Sequence, residues 1–332
     1  MKHLRKNKIL YLYALGGGLL FLALLLGISL GSTDVSLGRM IRSVFGGEDA
    51  VAKRIFLYVR LPRTLAALLC GASLALSGAV IQGVLANRLA SPSIIGVNAG
   101  AGLAVTISAA FGITLGWRVS LFAFLGAAFA VMLVSLGAKH FGASRGTVIL
   151  MGVALNALFG AVSDTITALF PAVAVSNVDF KVGSFASVTY VKLIPAGIII
   201  LFGTVVLFTL SNELDVLILG DENARGLGLR TDVMRVVFLL LAAMLAGASV
   251  SVAGLISFVG LLVPHAVRRL SGGRHLLPLC FLYGGALVSL SDTLARVVAA
   301  PYELPVGIIT ALIGAPVFLF ILIKGKGGHT HA

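Results

Sequence analysis

The feature that most limits this chain is a succession of apolar runs, most close to twenty residues long, along almost its whole length. Seven of the ten runs contain no charged residue. An α-helix rises about 1.5 Å per residue, so about twenty apolar residues cross a hydrocarbon core of ~30 Å. Inside lipid every backbone polar group has to be satisfied within the protein, which leaves helices or a closed barrel. Barrel strands alternate apolar and polar residues, whereas these runs are continuous, so the pattern selects helices. The whole composition agrees. Of 332 residues, 59% are apolar and 11% are charged, against about 45–50% and about 25% in soluble domains. There are too few charges to coat a water-soluble surface, which excludes a soluble enzyme, and too many apolar residues for disorder. The fold class expected is an all-α membrane protein, read as one transmembrane domain over residues 1–332.

The expected spans are Ile9–Leu30, Leu65–Leu85, Ile94–Phe111, Val119–Leu136, Val148–Phe170, Ile194–Leu210, Val233–Val252, Gly254–Pro264, Leu276–Val298 and Pro305–Ile323. The first follows the basic stretch MKHLRKNK. It is longer than a signal-peptide core and has no small-residue cleavage site, so an uncleaved first helix is expected. The eighth run has 11 residues and reaches only roughly 17 Å, so it has to be buried in protein. Counting it as a crossing puts the basic loop Arg268–Arg274 and the tail with Lys324 and Lys326 on the cytoplasmic side. About ten spans with both termini cytoplasmic is the expected topology, since basic residues concentrate inside.

The net charge is +13. A basic chain could suggest nucleic acid, but loop Lys and Arg at anionic head groups account for it in a membrane protein. With ten spans, the 25 basic residues divide into 15 inside and 10 outside. Six of the outer ones, Arg39, Arg42, Lys53, Arg54, Arg60 and Arg63, fall between the first two spans. A basic outer surface runs against the usual bias and suits an acidic extracytoplasmic partner. Cys70 and Cys280 lie in apolar runs without metal-ligand spacing and are expected to be inert thiols.

Two segments resemble each other at a constant offset. ALLCGASLALSG (67–78) and AMLAGASVSVAG (243–254) share six of twelve positions. Internal repeats are common in transporters, whose pathway lies at the repeat interface. Related helical halves near 60–170 and 233–323 are expected, with Gly71, Ser73, Ser77 and Gly78 first as residues that let helices approach closely. Pro92 is placed at a helix start, and Pro264, Pro301, Pro305 and Pro316 break the last third into short elements.

No phosphate-binding loop, HExxH pair or dinucleotide fingerprint is present, so the chain has no ATP site of its own and no catalytic or metal site is assigned. Charge within the spans is sparse. Asp164 and the i,i+4 pair Asp292 and Arg296 are the notable cases, with Asp292 and Arg296 read as a structural pair. The terminal GHTHA is read as a disordered end. The longest inner loop, 211–232, mixes charges with Leu214, Leu217, Leu227 and Leu229. Asp221–Leu227 can form a short amphipathic helix stopped by Gly226 and Gly228, suited to a partner's groove.

Together these motifs resemble the FecCD-like permeases of ABC importers, a family that takes up ferric siderophores, haem and cobalamin. RLPRTLAALLCGASLALSGAVIQGVLANRLASPSIIGVNAGAG (60–102) resembles its second and third helices. GLISFVGLLVPHAVRRL (254–270) and ELPVGIITALIGAPVFLFIL (303–322) resemble its C-terminal signatures, and LGDENARGLGL (219–229) its coupling loop. The likeness runs from about Val35 to Lys324. It implies ten helices per subunit, a homodimer or a pair with a paralogous permease, and a pathway at the dimer interface in the bacterial cytoplasmic membrane. Two cytoplasmic ATPase subunits, which bind the ATP and Mg, would dock on Gly220, Asp221, Glu222, Ala224, Arg225, Gly226 and Gly228. A solute-binding protein would dock outside through acidic residues received by Arg60, Arg63 and Arg296. The gate and pathway positions carried over are Gln82, Asn87, Leu89, Asn98, Ala143 and Ser144. The chain departs from the family in reading Asn87-Arg88-Leu89-Ala90 where proline is common at the second position, and in a hydroxyl-poor GASR loop at 142–145. VNAGAG (97–102) inclines the resemblance toward siderophore rather than cobalamin. The rival expectations are an ion-driven secondary transporter carried by Asp164 or Asp292, and an intramembrane enzyme, for which no clustered site is found.

Overall fold

The computed structural model describes residues 2–31, 35–44, 46, 49–114, 116–140, 145–273 and 275–326, and the regular structure within them is helical throughout. The order is α1 (Lys2–Ser29), α2 (Leu37–Val44), α3 (Ala50–Arg54), a π-helical segment (Ile55–Arg60), α4 (Leu61–Val84), α5 (Val97–Ala110), α6 (Trp117–His140), α7 (Arg145–Leu169), α8 (Pro171–Ser176), α9 (Val178–Val182), α10 (Tyr190–Thr209), α11 (Ser211–Ile218), α12 (Asp221–Gly226), α13 (Thr231–Ala253), α14 (Val259–Ser271), α15 (Leu276–Val297) and α16 (Val306–Lys326). Seven helical stretches are long and apolar enough to cross a membrane: Asn7–Ser29, Ala50–Val84, Trp117–Gly137, Gly146–Leu169, Tyr190–Thr209, Thr231–Ala253 and Leu276–Val297. Val97–Ala110 and Val306–Phe320 are shorter apolar helices, and α14 has 13 residues.

Three local differences from the sequence reading have physical causes. The second long helix begins at Ala50 rather than Leu65, because the Asp49 carboxylate accepts the Ala52 N–H at 3.0 Å and caps it. Pro62, which would clash with the preceding turn of a regular helix, follows a π-helical segment that widens the backbone there. Pro92 lies in a turn, and α5 starts only at Val97, after Gly96 at φ 92°. In the eighth run, Gly254–Phe258 is not helical and the helix is displaced to Val259–Ser271. That irregular stretch is sealed by neighbours. Leu255 N–H donates to Phe180 O at 2.9 Å, and just before the stretch Ser184 N–H donates to Ala253 O at 2.8 Å. Non-helical backbone at membrane depth survives only with such internal partners.

The core is built around α4, which packs on α13, α14 and α15. At two crossings the backbones nearly touch. A Cβ on Gly71 would collide with the Gly284 carbonyl, and one on Gly78 with that of Gly260. Close packing of small residues is what holds helices together where no hydrophobic force separates protein from lipid. The two similar segments lie on α4 and α13 and face each other in opposite directions. Ser77 Oγ donates to Ala242 O at 2.7 Å, and Ser249 Oγ to Cys70 O at 3.4 Å. Cys70 and Cys280 are free, buried thiols. The outer helices α7, α10 and α16 leave Leu150, Val153, Leu158, Ile198, Phe202, Val205, Leu312 and Leu319 exposed, apolar surface of the kind that lipid or another membrane subunit covers.

Candidate functional site

Three places carry chemistry. The first lies where α4 and α15 meet the C-terminal end of α1. Arg63 holds Asp292 through Nε and Nη2 at 3.0–3.1 Å and reaches Glu303 with Nη1 at 2.6 Å. Arg296, one turn along α15, closes on Asp292 at 3.1 Å and donates Nη1 to the Gly27 and Leu30 carbonyls at 3.0 and 3.2 Å. Arg60 donates to the Ile28 and Ser29 carbonyls. The orphan C-terminal carbonyls of α1 are thereby capped by guanidinium groups, where the helix dipole also favours positive charge. The expected Asp292–Arg296 pair forms. Arg63 as its third member, 229 residues from Asp292, has no sequence spacing to announce it.

Arg60, Arg63 and Arg296 are 3%, 5% and 2% exposed. Read by resemblance they receive a partner's carboxylates, but their donors point inward and are occupied by α1 carbonyls, Asp292 and Glu303. In this conformation the three brace the end of the bundle at which α1 stops. The exposed basic residues of the same region are Arg39, Arg42, Lys53 and Arg54 on α2 and α3. Arg39 pairs with Asp49 at 2.6 Å. The Ala52 N–H and Arg39 hold the Asp49 carboxyl below its ordinary range. A carboxyl so lowered supports the fold above its unfolded pKa and loses that support as pH falls through its folded one. The α3 cap is therefore expected to weaken only in acid, measurable as a fall in α2–α3 amide-exchange protection.

The second place is the expected coupling loop. Over 211–232 it forms two short helices, α11 and α12, where the sequence announced only the second. Gly220 at φ 103° turns the chain between them, and Gly228 at φ 84° ends the loop. Ala224, on the inner face of α12, is fully buried. Asp221 is held by Arg235 of α13 at 2.7 Å, and Arg225 Nε donates to Thr231 Oγ1 at 3.0 Å. Glu222, Asn223, Arg225, Gly226, Leu227 and Gly228 face outward. Leu214 and Ile218 of α11 lie against Gly83, one residue before the end of α4. The anchors Arg235 and Leu214 were not singled out beforehand as contacts, because only the folded chain sets them beside Asp221 and Gly83.

The third place follows α4. Asn87 Oδ1 accepts the Leu89 N–H at 2.9 Å in a tight turn, and Leu89 is exposed. Gln82 is buried rather than lining an opening, with Nε2 on the Gly260 and Leu261 carbonyls at 3.3 and 3.4 Å. Asn98 is half-buried in the first turn of α5. Ala143 and Ser144 lie outside the described residues, as does the GHTHA tail. Asp164 stands exposed on α7, apart from the other places.

The geometry can hold, brace and transmit, and it belongs with a known group of proteins. The sequence profile of the FecCD transport family matches residues 19–324. The chain is 36% identical over 323 residues to the Fe(3+)-citrate import system permease protein YfmD of Bacillus subtilis, covering 96% of this chain and 93% of the relative. It is 34% identical over 315 residues to the hemin transport system permease protein HmuU of Yersinia pestis, covering 92% of this chain and 94% of the relative. A solved structure described as an inward-facing ABC transporter of metal-chelate type superposes with a TM-score of 0.83 at 32% identity, covering 94% of this chain and 99% of that one. The fold and these matches define a multi-pass membrane permease of the ABC importer class. The chain belongs to the FecCD transport family.

Proposed function

We propose that this chain is the permease subunit of an ATP-driven importer that moves an iron chelate into a bacterial cell, crossing the cytoplasmic membrane ten times with both termini inside. The chain forms a single transmembrane domain, two copies or a pair with a paralogue enclose the pathway, and the chain does no covalent chemistry. Two cytoplasmic ATPase subunits bind ATP and Mg and dock on α12. The observation that carries this reading is the construction of α12. It is a six-residue helix too short to stand alone, pinned by Ala224 and by the Asp221–Arg235 pair, with its outer face unused.

From α12 the push has two routes. One runs through Arg235 into α13. The other runs through Leu214 and Ile218 against Gly83, hence into the Asn87–Leu89 turn that serves as the inner gate. Replacing Leu227, 67% exposed, with Asp is expected to cut ATPase association about tenfold or more, as loss of a buried apolar anchor does. The folded permease should keep its melting temperature. Co-purification and light scattering measure the first, thermal unfolding the second. Association unchanged in Leu227→Asp and Glu222→Arg alike would remove α12 from the interface.

The extracytoplasmic binding protein docks on the exposed charges of α2 and α3. Reversing Arg42, Lys53 and Arg54 to Glu together should slow its association by one to two orders of magnitude at low salt, with less effect at high salt, because rim charges act mainly on approach. Stopped-flow association at two ionic strengths measures this. The ion-driven alternative loses one of its two candidates, since Asp292 is engaged by Arg63 and Arg296.

A further inference from the structure

The chain leaves α4 at Val84 and re-enters the bundle before α5 begins. A Cβ on Gly260 would stand 3.2 Å from Pro92 Cδ and 3.5 Å from Gly78 Cα, so Pro92 lies level with Gly78. Gly78 is six residues before the end of α4, roughly 9 Å along the helix. The chain has therefore turned at Asn87–Leu89 and climbed back beside α4 as non-helical backbone. This is why α5 has only 14 residues, roughly 21 Å against a core of ~30 Å. α14 follows the similar helix α13 in the same way, with 13 residues after the irregular 254–258 stretch. In transporters, interrupted helices at matching places in related segments mark the path of the cargo.

The returning loop is gripped from two sides. Pro92 rests where α4 and α14 cross. From the other side the half-buried Asn156 of α7 donates Nδ2 to Ser93 O at 2.8 Å and to Ile94 O at 3.3 Å. Gly152, one turn earlier on α7, lets the loop backbone close in, since a Cβ there would collide with the Ile94 carbonyl. The Ile94 and Gly96 amides are satisfied within the loop, by Ser91 O at 3.0 Å and Ser93 O at 3.3 Å. α7 itself packs mainly on α5 and α6. The loop thus bridges the α4–α14 core and a helix that stands largely outside it. Carbonyls in a non-helical stretch at membrane depth need a donor. That need alone does not place the donor on α7, when α4 and α14 already touch the loop. A tie to a third helix carries that helix's position into the loop.

We propose that Asn156 is a positioning residue of the gate, which makes the Asn87–Leu89 turn follow α7 as well as α4, so that the turn shifts when α7 shifts. This role rests on the importer reading, in which that turn is the inner gate, and it adds α7 to the route through Gly83.

Two variants separate the hydrogen bond from the volume. Asn156→Leu keeps the bulk and removes the donor, and Asn156→Gln keeps the donor. In the full-length permease in nanodiscs, amide exchange over residues 90–97 should quicken about two- to tenfold in Asn156→Leu, the worth of one ordinary hydrogen bond, and return toward the native rate in Asn156→Gln. The permease is then reconstituted with its candidate ATPase and binding protein, and ferric citrate and haemin are each offered as cargo. The cargo taken up per ATP hydrolysed should fall in Asn156→Leu and recover in Asn156→Gln, at an unchanged melting temperature and rate of hydrolysis. A residue that served stability alone would lower the melting temperature and leave that ratio native. The role is overturned by unchanged exchange or a native ratio in Asn156→Leu, by a loss that Asn156→Gln does not restore, or by a loss that only follows a lowered melting temperature. A native complex that takes up neither cargo with ATP removes the importer reading and the gate role with it. Native uptake beside any of the overturning results removes the Asn156 role alone.

Discussion

Asp292→Asn is expected to cost about 3–5 kcal/mol of stability, the loss that follows removal of one partner from a buried ion pair. Asp292 is 1% exposed and serves two guanidinium groups at once. Asparagine keeps the volume and removes the charge, so Arg63 loses its two-pronged acceptor and Arg296 its ion pair. Glu303 still meets Arg63, but it is attached to the segment after α15 and leaves Arg296 unpaired by charge. Arg296 and Arg60 also hold the last carbonyls of α1, so the end of α1 should loosen with the cluster. Thermal unfolding in detergent, followed by fluorescence-detected size exclusion, measures the first effect, and amide exchange at residues 26–31 the second. An Asp292→Asn protein as stable as the native one, with α1 equally protected, would mean the cluster is solvated rather than bracing.

Gly78→Ala is the second large effect. The added methyl would enter the Gly260 carbonyl, so the obstacle is backbone and no side-chain rotation relieves it. Overpacking a core ordinarily costs about 1–3 kcal/mol, sometimes more. A helix crossing that has to spread should fall at the upper end. Gly17→Ala is the control, because nothing lies within 4 Å of its added carbon. Within a helix that change is neutral or stabilising by up to about 1 kcal/mol. A lower melting temperature for Gly78→Ala beside an unchanged or higher one for Gly17→Ala is the expected pair of results.

The legible part of this protein was whatever is written in consecutive residues. Apolar runs gave the long helices, Gly226 and Gly228 bounded the end of α12, and Asp292 with Arg296 announced their own pairing at i,i+4. What depended on the chain folding back was not legible. Arg63 and Asp292 are 229 residues apart. The Asp49 cap and the π-helical segment, which make α3 and α4 one continuous helical stretch from Ala50 to Val84, lie outside any of the expected spans. The irregular 254–258 stretch depends on Phe180 and Gly183, which only the assembled fold brings to it. The basic stretch 39–63 was legible as charge, but not the division within it between buried braces and exposed residues, because an arginine's sequence surroundings do not say which way its guanidinium turns.

The most direct measurement of the central claim is chelate uptake into proteoliposomes that hold the permease, its candidate ATPase and the binding protein, with no ion gradient imposed. The account predicts uptake that requires ATP, and ATP hydrolysis that rises when loaded binding protein is added and falls back in Leu227→Asp. Uptake without the ATPase once a sodium or proton gradient is imposed on the same vesicles, abolished by Asp164→Asn, would contradict it.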